Sequence, residues 1–316
     1  MKDYLEVLDL TRDDLNRLLD LALEAREMPH LRDGLLADEI VFCYFSTPST
    51  RARISFAAAI THLGGEAEFV GPAELQLDGA ETIEDTAMVV SRYASAAVIG
   101  TFEHSQVTRF ASAATIPVIN ALTDMHHPCQ ALADMLTVRD HLGSLQGRRV
   151  AYLGDGNNVA HSLIQAAALA GLHLVVGTPA ELAPDRGVVN RARAVARRTG
   201  ATIDLGHDPA EAVKDADVVY TDVWPIGDPP EPQERRMALL APFRVDEAMM
   251  DLASPNAIFM HCLPAHRGDE VVDAVLDGRQ SVVGDQAENR LHTEQALLVA
   301  LLTEGLTGRA RKDTGS

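Results

Sequence analysis

"EIVFCYFSTPSTRARISF", residues 39–56, joins two patterns that settle the fold class. Its first seven residues are almost wholly apolar, the mark of a strand buried on both faces. Its end reads as a helix. Ser49 and Thr50 suit an N-cap, and the apolar Ile54, Phe56 and Ala57 follow at once. Yet Arg51 and Arg53 stand in the first turn, where the macrodipole disfavours cations and favours anions. A phosphate at that helix end resolves the conflict. Free backbone N–H groups, the Ser49 and Thr50 hydroxyls and the Arg51 guanidinium form a cradle for it.

The alternation continues in both directions. Residues 9–28 read as an opening amphipathic helix, with Leu15, Leu18, Leu19, Ala22 and Leu23 on one face. Strands are expected at 67–71, 96–100 and 117–120, and helices near 83–93 and over 127–143. The pattern restarts with a strand at 149–154, a helix at 159–170 and strands at 172–178, 217–222 and 257–262. A helix through 293–306 closes the chain. Strands alternating with helices mean an α/β protein with mainly parallel sheets. The restart near residue 148 gives two doubly wound lobes joined by long helices. The Pro-rich, charged stretch 222–236 is a long loop at a strand end, where such folds place function.

A chain of 316 residues, 47% hydrophobic, supports two lobes better than one. Its net charge of −19 argues against a nucleic acid or an anionic membrane as partner, so any anion site must be local. No apolar run is long enough for a bilayer, and the N-terminus lacks a signal-peptide pattern. Cys43, Cys129 and Cys262 are too few and too scattered for a disulfide framework. The expectation is a cytoplasmic protein with reduced thiols.

Five further motifs carry polar chemistry. "HHPCQALAD" sets His127 and Gln130 at an i, i+3 spacing on one helical face, with Pro128 opening the helix. A pair so placed reaches a carbonyl or phosphate oxygen, or serves only as a cap and a surface amide. "YLGDGNNVAHS" is half a dinucleotide fingerprint. It lacks the third glycine and the acidic residue after the next strand, so Asn157 and Asn158 suit a carboxylate or an amino group better. "TDVW" and "MHCLPAHRGDE" put Asp222 and Cys262 at strand C-termini, where a carboxylate holds an amine and a thiol orients it. His261, Cys262 and His266 lack a fourth ligand for zinc. "DQAENRLH" offers Arg290 as a second anion ligand.

In this order, these segments resemble those of the aspartate/ornithine carbamoyltransferases, over nearly the whole chain. "STRAR" is similar to that family's Ser-Thr-Arg-Thr-Arg phosphate loop, "HHPCQ" to its His-Pro-x-Gln segment, and "HCLPAHRG" points to the ornithine branch. The resemblance implies a carbamoyl-phosphate-binding domain over 1–140, an amino-acid-binding domain over 141–291, and a C-terminal helix over 292–310 that packs back on the first. It implies transfer of a carbamoyl group to the side-chain amine of an amino acid, without metal or other cofactor, in a homotrimer with shared active sites. Ser49, Thr50, Arg51, His127, Gln130 and Arg290 would hold carbamoyl phosphate, joined by Gln76 from a neighbouring subunit. Asn158, Asp222, Ile226, Cys262 and Leu263 would bind the amino acid. Arg51, His127, Cys262 and Arg290 would act at the reacting centre.

Four positions depart from the family pattern. Thr47 stands where the family has lysine, and Ala52 where it has threonine. Gly100 stands where it has the arginine beside the carbamoyl oxygen. "TDVWPIG" replaces a loop that ends in Ser-Met-Gly. Three readings follow: an ornithine carbamoyltransferase, an enzyme for another amine, or a non-catalytic binding or regulatory protein of the same fold. The first is expected, because the donor set and the "HCLP" run are both retained.

Overall fold

The computed structural model describes residues 2–46, 49–75, 77, 81–224 and 233–303. Two compact units divide the chain, Met1–Ala133 with Glu288–Ser316, and Asp134–Ala287. Both boundaries fall inside helices.

The first unit opens with α1 (Arg12–Glu27), β1 (Ile40–Phe45), α2 (Thr50–His62), β2 (Glu66–Val70) and α3 (Ile83–Val90). It continues through β3 (Ala96–Gly100), α4 (His104–Ala113), β4 (Val118–Leu122) and the first turns of α5 (Pro128–Leu142). Thr11 caps α1 through a reciprocal box with Asp14, which sets its start three residues inside the apolar pattern. The strands form a parallel sheet in the order β2-β1-β3-β4. Every residue of β3 and all but the first of β1 are buried, as the apolar runs require. Phe42, Tyr44, Ile99, Phe110 and Val118 anchor the core on one face, with α3 and α4 packed against them.

The second unit carries β5 (Arg149–Leu153), α6 (Asn158–Ala170), β6 (His173–Gly177), α7 (Arg186–Thr199), β7 (Thr202–Gly206), α8 (Pro209–Val213) and β8 (Val218–Thr221). Then follow α9 (Gln233–Leu240), α10 (Glu247–Met250), β9 (Ile258–His261), α11 (Asp273–Leu276) and α12 (Val283–Thr303), which passes into the first unit. All five strands are parallel, in the order β7-β6-β5-β8-β9. The core lies between Leu153, Val219 and Phe259 of the sheet and Phe243, Met250 and Val275 of the flanking helices.

Both sheets are doubly wound, as the alternation predicts. The sequence reading passes over α4, α7 and β7. β7 is an edge strand with only Ile203 buried, and α7 exposes most of its arginines, so neither carries a continuous apolar run. Strand order reverses between β1 and β3 in one sheet and between β5 and β8 in the other. At such switch points the loops after neighbouring strands part, leaving a crevice at the strand C-termini. Among the described residues no helix is long and apolar enough to cross a membrane.

Candidate active site

Each unit holds one polar cluster, and each cluster lies at its sheet's switch point. In the first unit β1 leads to Ser49, the N-cap of α2, with extended backbone and no side-chain cap bond. Acidic residues are absent from the first turn of α2, and Arg51 stands there. Four other helix starts are closed by their own side chains, Thr11 on α1, Thr82 on α3, Asn157 on α6 and Asp185 on α7, while α4 and α11 share the lack of a side-chain cap with α2. The α2 end therefore has no cap from the Ser49 side chain, and its dipole favours an anion there. Arg53 does not join it, since its guanidinium lies 5.0 Å over the Phe69 ring.

His127, immediately before α5, is buried. Burial pushes its imidazole well below the ordinary value, and the charges of Arg290 and Arg51 push it further. The ring is therefore neutral at physiological pH, with both guanidinium groups close enough to act on it. Arg290 is 3% exposed on α12. Its Nη1 donates to Gln130 Oε1 at 3.2 Å, and its Nε and Nη2 donate to Glu294 Oε1 at 3.2 and 2.9 Å. Arg51, His127, Gln130 and Arg290 thus form one neighbourhood, with Ser49 and Thr50 at the head of the helix that carries Arg51. Gln76 and Thr47 lie outside the described residues.

Gly100 ends β3 beside Phe45, its register partner at the end of β1. The β3–β4 register shifts between Ile99 and Gly100, a bulge at the sheet's rim. A Cβ on Gly100 would meet Phe45 Cδ1 at 2.7 Å. Phe45 is buried and packs on Phe69, ring centroids 6.1 Å apart. An aromatic edge therefore fills the space a side chain at position 100 would enter. Ala52 is buried on α2.

In the second unit the cluster centres on Asp222, just past β8 and 4% exposed. Asn157 Nδ2 donates to its Oδ2 at 2.7 Å, while Oδ1 accepts from Cys262 Sγ and from the Val223 N–H, each at 2.7 Å. Asn157 also caps α6, its Oδ1 accepting from the Val159 and Ala160 N–H groups. Asn158, the next residue, accepts from the Val159 N–H at 2.9 Å. The carboxylate is locked in one orientation, as a receptor for an ammonium group must be. Leu263 follows Cys262 in the left-handed region, φ 58°, before a cis bond to Pro264. The arrangement holds because His261 Nδ1 accepts the Leu263 N–H at 2.8 Å, while its Nε2 meets the buried Glu270 at 3.2 Å. Ile226 and the rest of 225–232 lie outside the described residues.

The Asn157–Asp222 bond, Glu294, Glu270 and the Phe45–Gly100 contact are absent from the sequence reading. Only Glu294 left a local signal there, its i, i+4 spacing from Arg290. The second glycine of "GDGNN" serves packing. A Cβ on Gly156 would lie 2.3 Å from Pro184 N and 2.4 Å from Leu182 O, so only glycine fits against that turn. Arg236 on α9 pairs with the buried Asp155. Burial raises the Asp155 carboxyl while Arg236 opposes the shift. Among the described residues no group of three His, Cys, Asp or Glu side chains is placed to hold a metal ion.

Comparison with known proteins covers both units. Residues 2–140 match the family model "Aspartate/ornithine carbamoyltransferase, carbamoyl-P binding domain", and residues 146–301 match "Aspartate/ornithine carbamoyltransferase, Asp/Orn binding domain". The chain is 48% identical to an ornithine carbamoyltransferase of Anoxybacillus flavithermus, over 95% of this chain and 96% of that one. It is 45% identical to an anabolic ornithine carbamoyltransferase of Pyrococcus furiosus, with the same coverage. A solved ornithine carbamoyltransferase structure from Pyrococcus furiosus superimposes with a TM-score of 0.92 at 44% identity, covering 95% of this chain and 97% of that one.

Proposed function

This chain belongs to the aspartate/ornithine carbamoyltransferase family, and on that premise we propose that it transfers the carbamoyl group of carbamoyl phosphate to the side-chain amine of L-ornithine, giving L-citrulline and phosphate. The first unit takes the donor. The N-terminus of α2 with Ser49, Thr50 and Arg51 receives the phosphate, and His127, Gln130 and Arg290 bind around the carbamoyl group. The second unit takes the amino acid through Asn158, Asp222, Cys262 and Leu263. Ile226 and Gln76 complete the assignment from outside the described residues. Gln76 reaches a neighbouring copy's donor site in a homotrimer, and the enzyme serves arginine biosynthesis in the cytoplasm.

In the reaction the neutral amine attacks the carbamoyl carbon, the C–N bond forms, the C–O bond to phosphate breaks, and the proton lost by the amine passes to the departing phosphate. Phosphate departs with the bonding pair, so negative charge grows where Arg51, Arg290 and the α2 dipole stand. His127, neutral and buried, contributes a fixed dipole rather than a charge. Asp222 orients the amino acid, and Asn157 and Cys262 keep Asp222 from turning. Catalysis is then positioning plus stabilisation of the leaving phosphate.

The observation that carries the proposal is the gathering of Arg51 and Arg290 around His127, below a helix end that its own side chains leave open. The test is colorimetric detection of the ureido product from carbamoyl phosphate and a panel of amines, ornithine first. Citrulline at enzymatic rates supports the assignment. Product from another amine alone replaces ornithine with that acceptor, a reading favoured by the "PIG" sequence. No product from any amine leaves the binding or regulatory reading.

A further inference from the structure

We propose that Glu294 is the positioning residue for Arg290, and that its charge sets how strongly Arg290 binds the carbamoyl donor. The inference rests on the donor assignment above and extends it to a residue that touches no substrate.

Glu294 lies one turn beyond Arg290 on α12 and is 1% exposed. Its Oε1 takes two guanidinium donors, Nε and Nη2, and Gln130 takes a third at Nη1. The guanidinium plane is fixed from two sides, by Glu294 and by Gln130. The second carboxylate oxygen, Oε2, is buried without a hydrogen-bond partner. Around Glu294 stand Arg290 on its own helix, Ser55 on α2, Cys43 on β1 and Cys129 on α5. The two thiols are buried and pushed up, so neither carries charge. Ser55 donates to the Ala52 carbonyl at 3.3 Å and, facing the carboxylate, lowers its pKa as Arg290 does. Arg290 is therefore the one charged group facing the carboxylate among these neighbours. Burial outweighs it and pushes the Glu294 carboxyl up to about 6.

An ionised Glu294 cancels the charge that Arg290 would offer a phosphate dianion. A protonated Glu294 still accepts through Oε1, so the geometry survives while the charge is released. Linkage makes the effect reciprocal. If donor binding raises the Glu294 pKa by about one unit, ionisation of Glu294 weakens the donor about tenfold. Donor affinity should therefore fall as pH rises through about 6.

The experiment compares the native chain with Glu294→Gln and Glu294→Ala across pH 5 to 8. One readout is KM for carbamoyl phosphate, together with kcat. The other is calorimetric binding of phosphonoacetamide, a donor mimic with no group to transfer. The native-to-Gln affinity ratio cancels titration of the ligand itself. We expect Glu294→Gln to bind about tenfold more tightly than native at pH 8 and equally at pH 5. Glu294→Ala, which frees the guanidinium, should raise KM and lower kcat at every pH, and the Gln variant should rescue both. A native-to-Gln ratio that stays flat with pH, or an Ala variant indistinguishable from Gln, overturns the proposal. Phosphonoacetamide binding with the expected profile but no ureido product keeps Glu294 in its role and removes the assigned reaction. Citrulline formation with a flat ratio does the reverse, and failure of the native chain to bind or react removes both.

Discussion

The two polar clusters solve opposite problems with different means. In the second unit the functional charge is one carboxylate, and three donors fix it: Asn157, Cys262 and the Val223 N–H. The cluster is neutralised only when a cation arrives. In the first unit the functional charges are cationic, and a buried carboxylate already compensates one of them, Arg290. The other, Arg51, stands at a helix end that itself attracts anions. One cluster is a carboxylate that three donors hold in one orientation. The other is a strongly charged cradle whose strength is moderated from within. On the proposed assignment the difference follows from the ligands: a flexible amine would be captured by orientation, whereas a phosphate would be held firmly as a substrate and then released as a product.

That contrast breaks first if Asp222 is not the whole of the second cluster's charge. Asp222→Asn keeps the volume but sets an amide N–H₂ or a neutral carbonyl where a carboxylate oriented the amine. We expect kcat/KM for ornithine to fall by about 10²–10³-fold, the usual loss for a preorganised charged contact. Phosphonoacetamide affinity should stay within about twofold of native, since donor and acceptor clusters share no residue. Steady-state kinetics and calorimetry on the same preparation test both halves. An equal loss of donor affinity would mean that the clusters are not independent.

The next largest effect concerns Gly100. Arginine there is blocked by the Phe45 ring edge 2.7 Å from the new Cβ, and the ring is backed by Phe69. Gly100→Arg should therefore lower stability by about 1–3 kcal/mol, the usual cost of overpacking, seen as a drop of several degrees in Tm. Gly100→Arg combined with Phe45→Ala removes the obstruction. The double variant should recover most of the lost Tm and turn over faster than Phe45→Ala alone, because the cradle gains a donor. A single Gly100→Arg variant as stable as native would show that Phe45 yields freely and that the pair is not coupled.

How much of this the sequence discloses depends on range. The parallel sheets are visible because β1, β3, β5, β8 and β9 are short apolar runs between helices, and burial on both faces permits little else. Edge strand β7 and polar helix α7 carry weaker patterns because solvent covers one side of each. Asp222, Cys262 and Arg51 can be named from sequence because strand ends and helix starts are where such folds gather polar side chains. Their partners cannot. Asn157 and Asp222 are 65 residues apart, and the local motif that suits Asn157 to a carboxylate or an amino group does not point to Asp222 as its partner. Gly100 reads as a missing arginine until Phe45 is found filling the space, since a register pairing between β1 and β3 creates that contact. Glu294 reads as an ordinary i, i+4 partner until its burial is known.

Burial gives Glu294 a consequence for stability as well. Its folded pKa, about 6, lies above the ordinary 4.5, so the folded state holds the proton more tightly than the unfolded chain. The linkage sign is then fixed. Stability from this group is fully present below about pH 4.5 and is lost as pH rises through about 6, a difference of about 2 kcal/mol. Glu294→Gln removes that penalty while keeping an acceptor for Arg290. Its Tm should exceed native at pH 8 and converge with it at pH 5. Chemical denaturation at the two pH values measures the gap. A gap that grows toward acid would reverse the sign and place the cost of burial elsewhere.

The smallest expected effect separates two roles for Cys262. As a nucleophile the thiol could not be replaced by a hydroxyl without a large loss. As a donor to Asp222 Oδ1 it could, because serine offers an O–H in the same direction. The contacts favour the second role, since Sγ donates to the Asp222 carboxylate. Cys262→Ala should raise KM for ornithine by about fivefold, worth roughly 1 kcal/mol for one lost hydrogen bond, and leave kcat nearly unchanged. Cys262→Ser should stay within about twofold of native in both. A serine variant as impaired as alanine would mean that the sulfur itself matters at the reacting carbon. The second cluster would then be more than a receptor, and the contrast with the first would fail at the residue where the chemistry is closest.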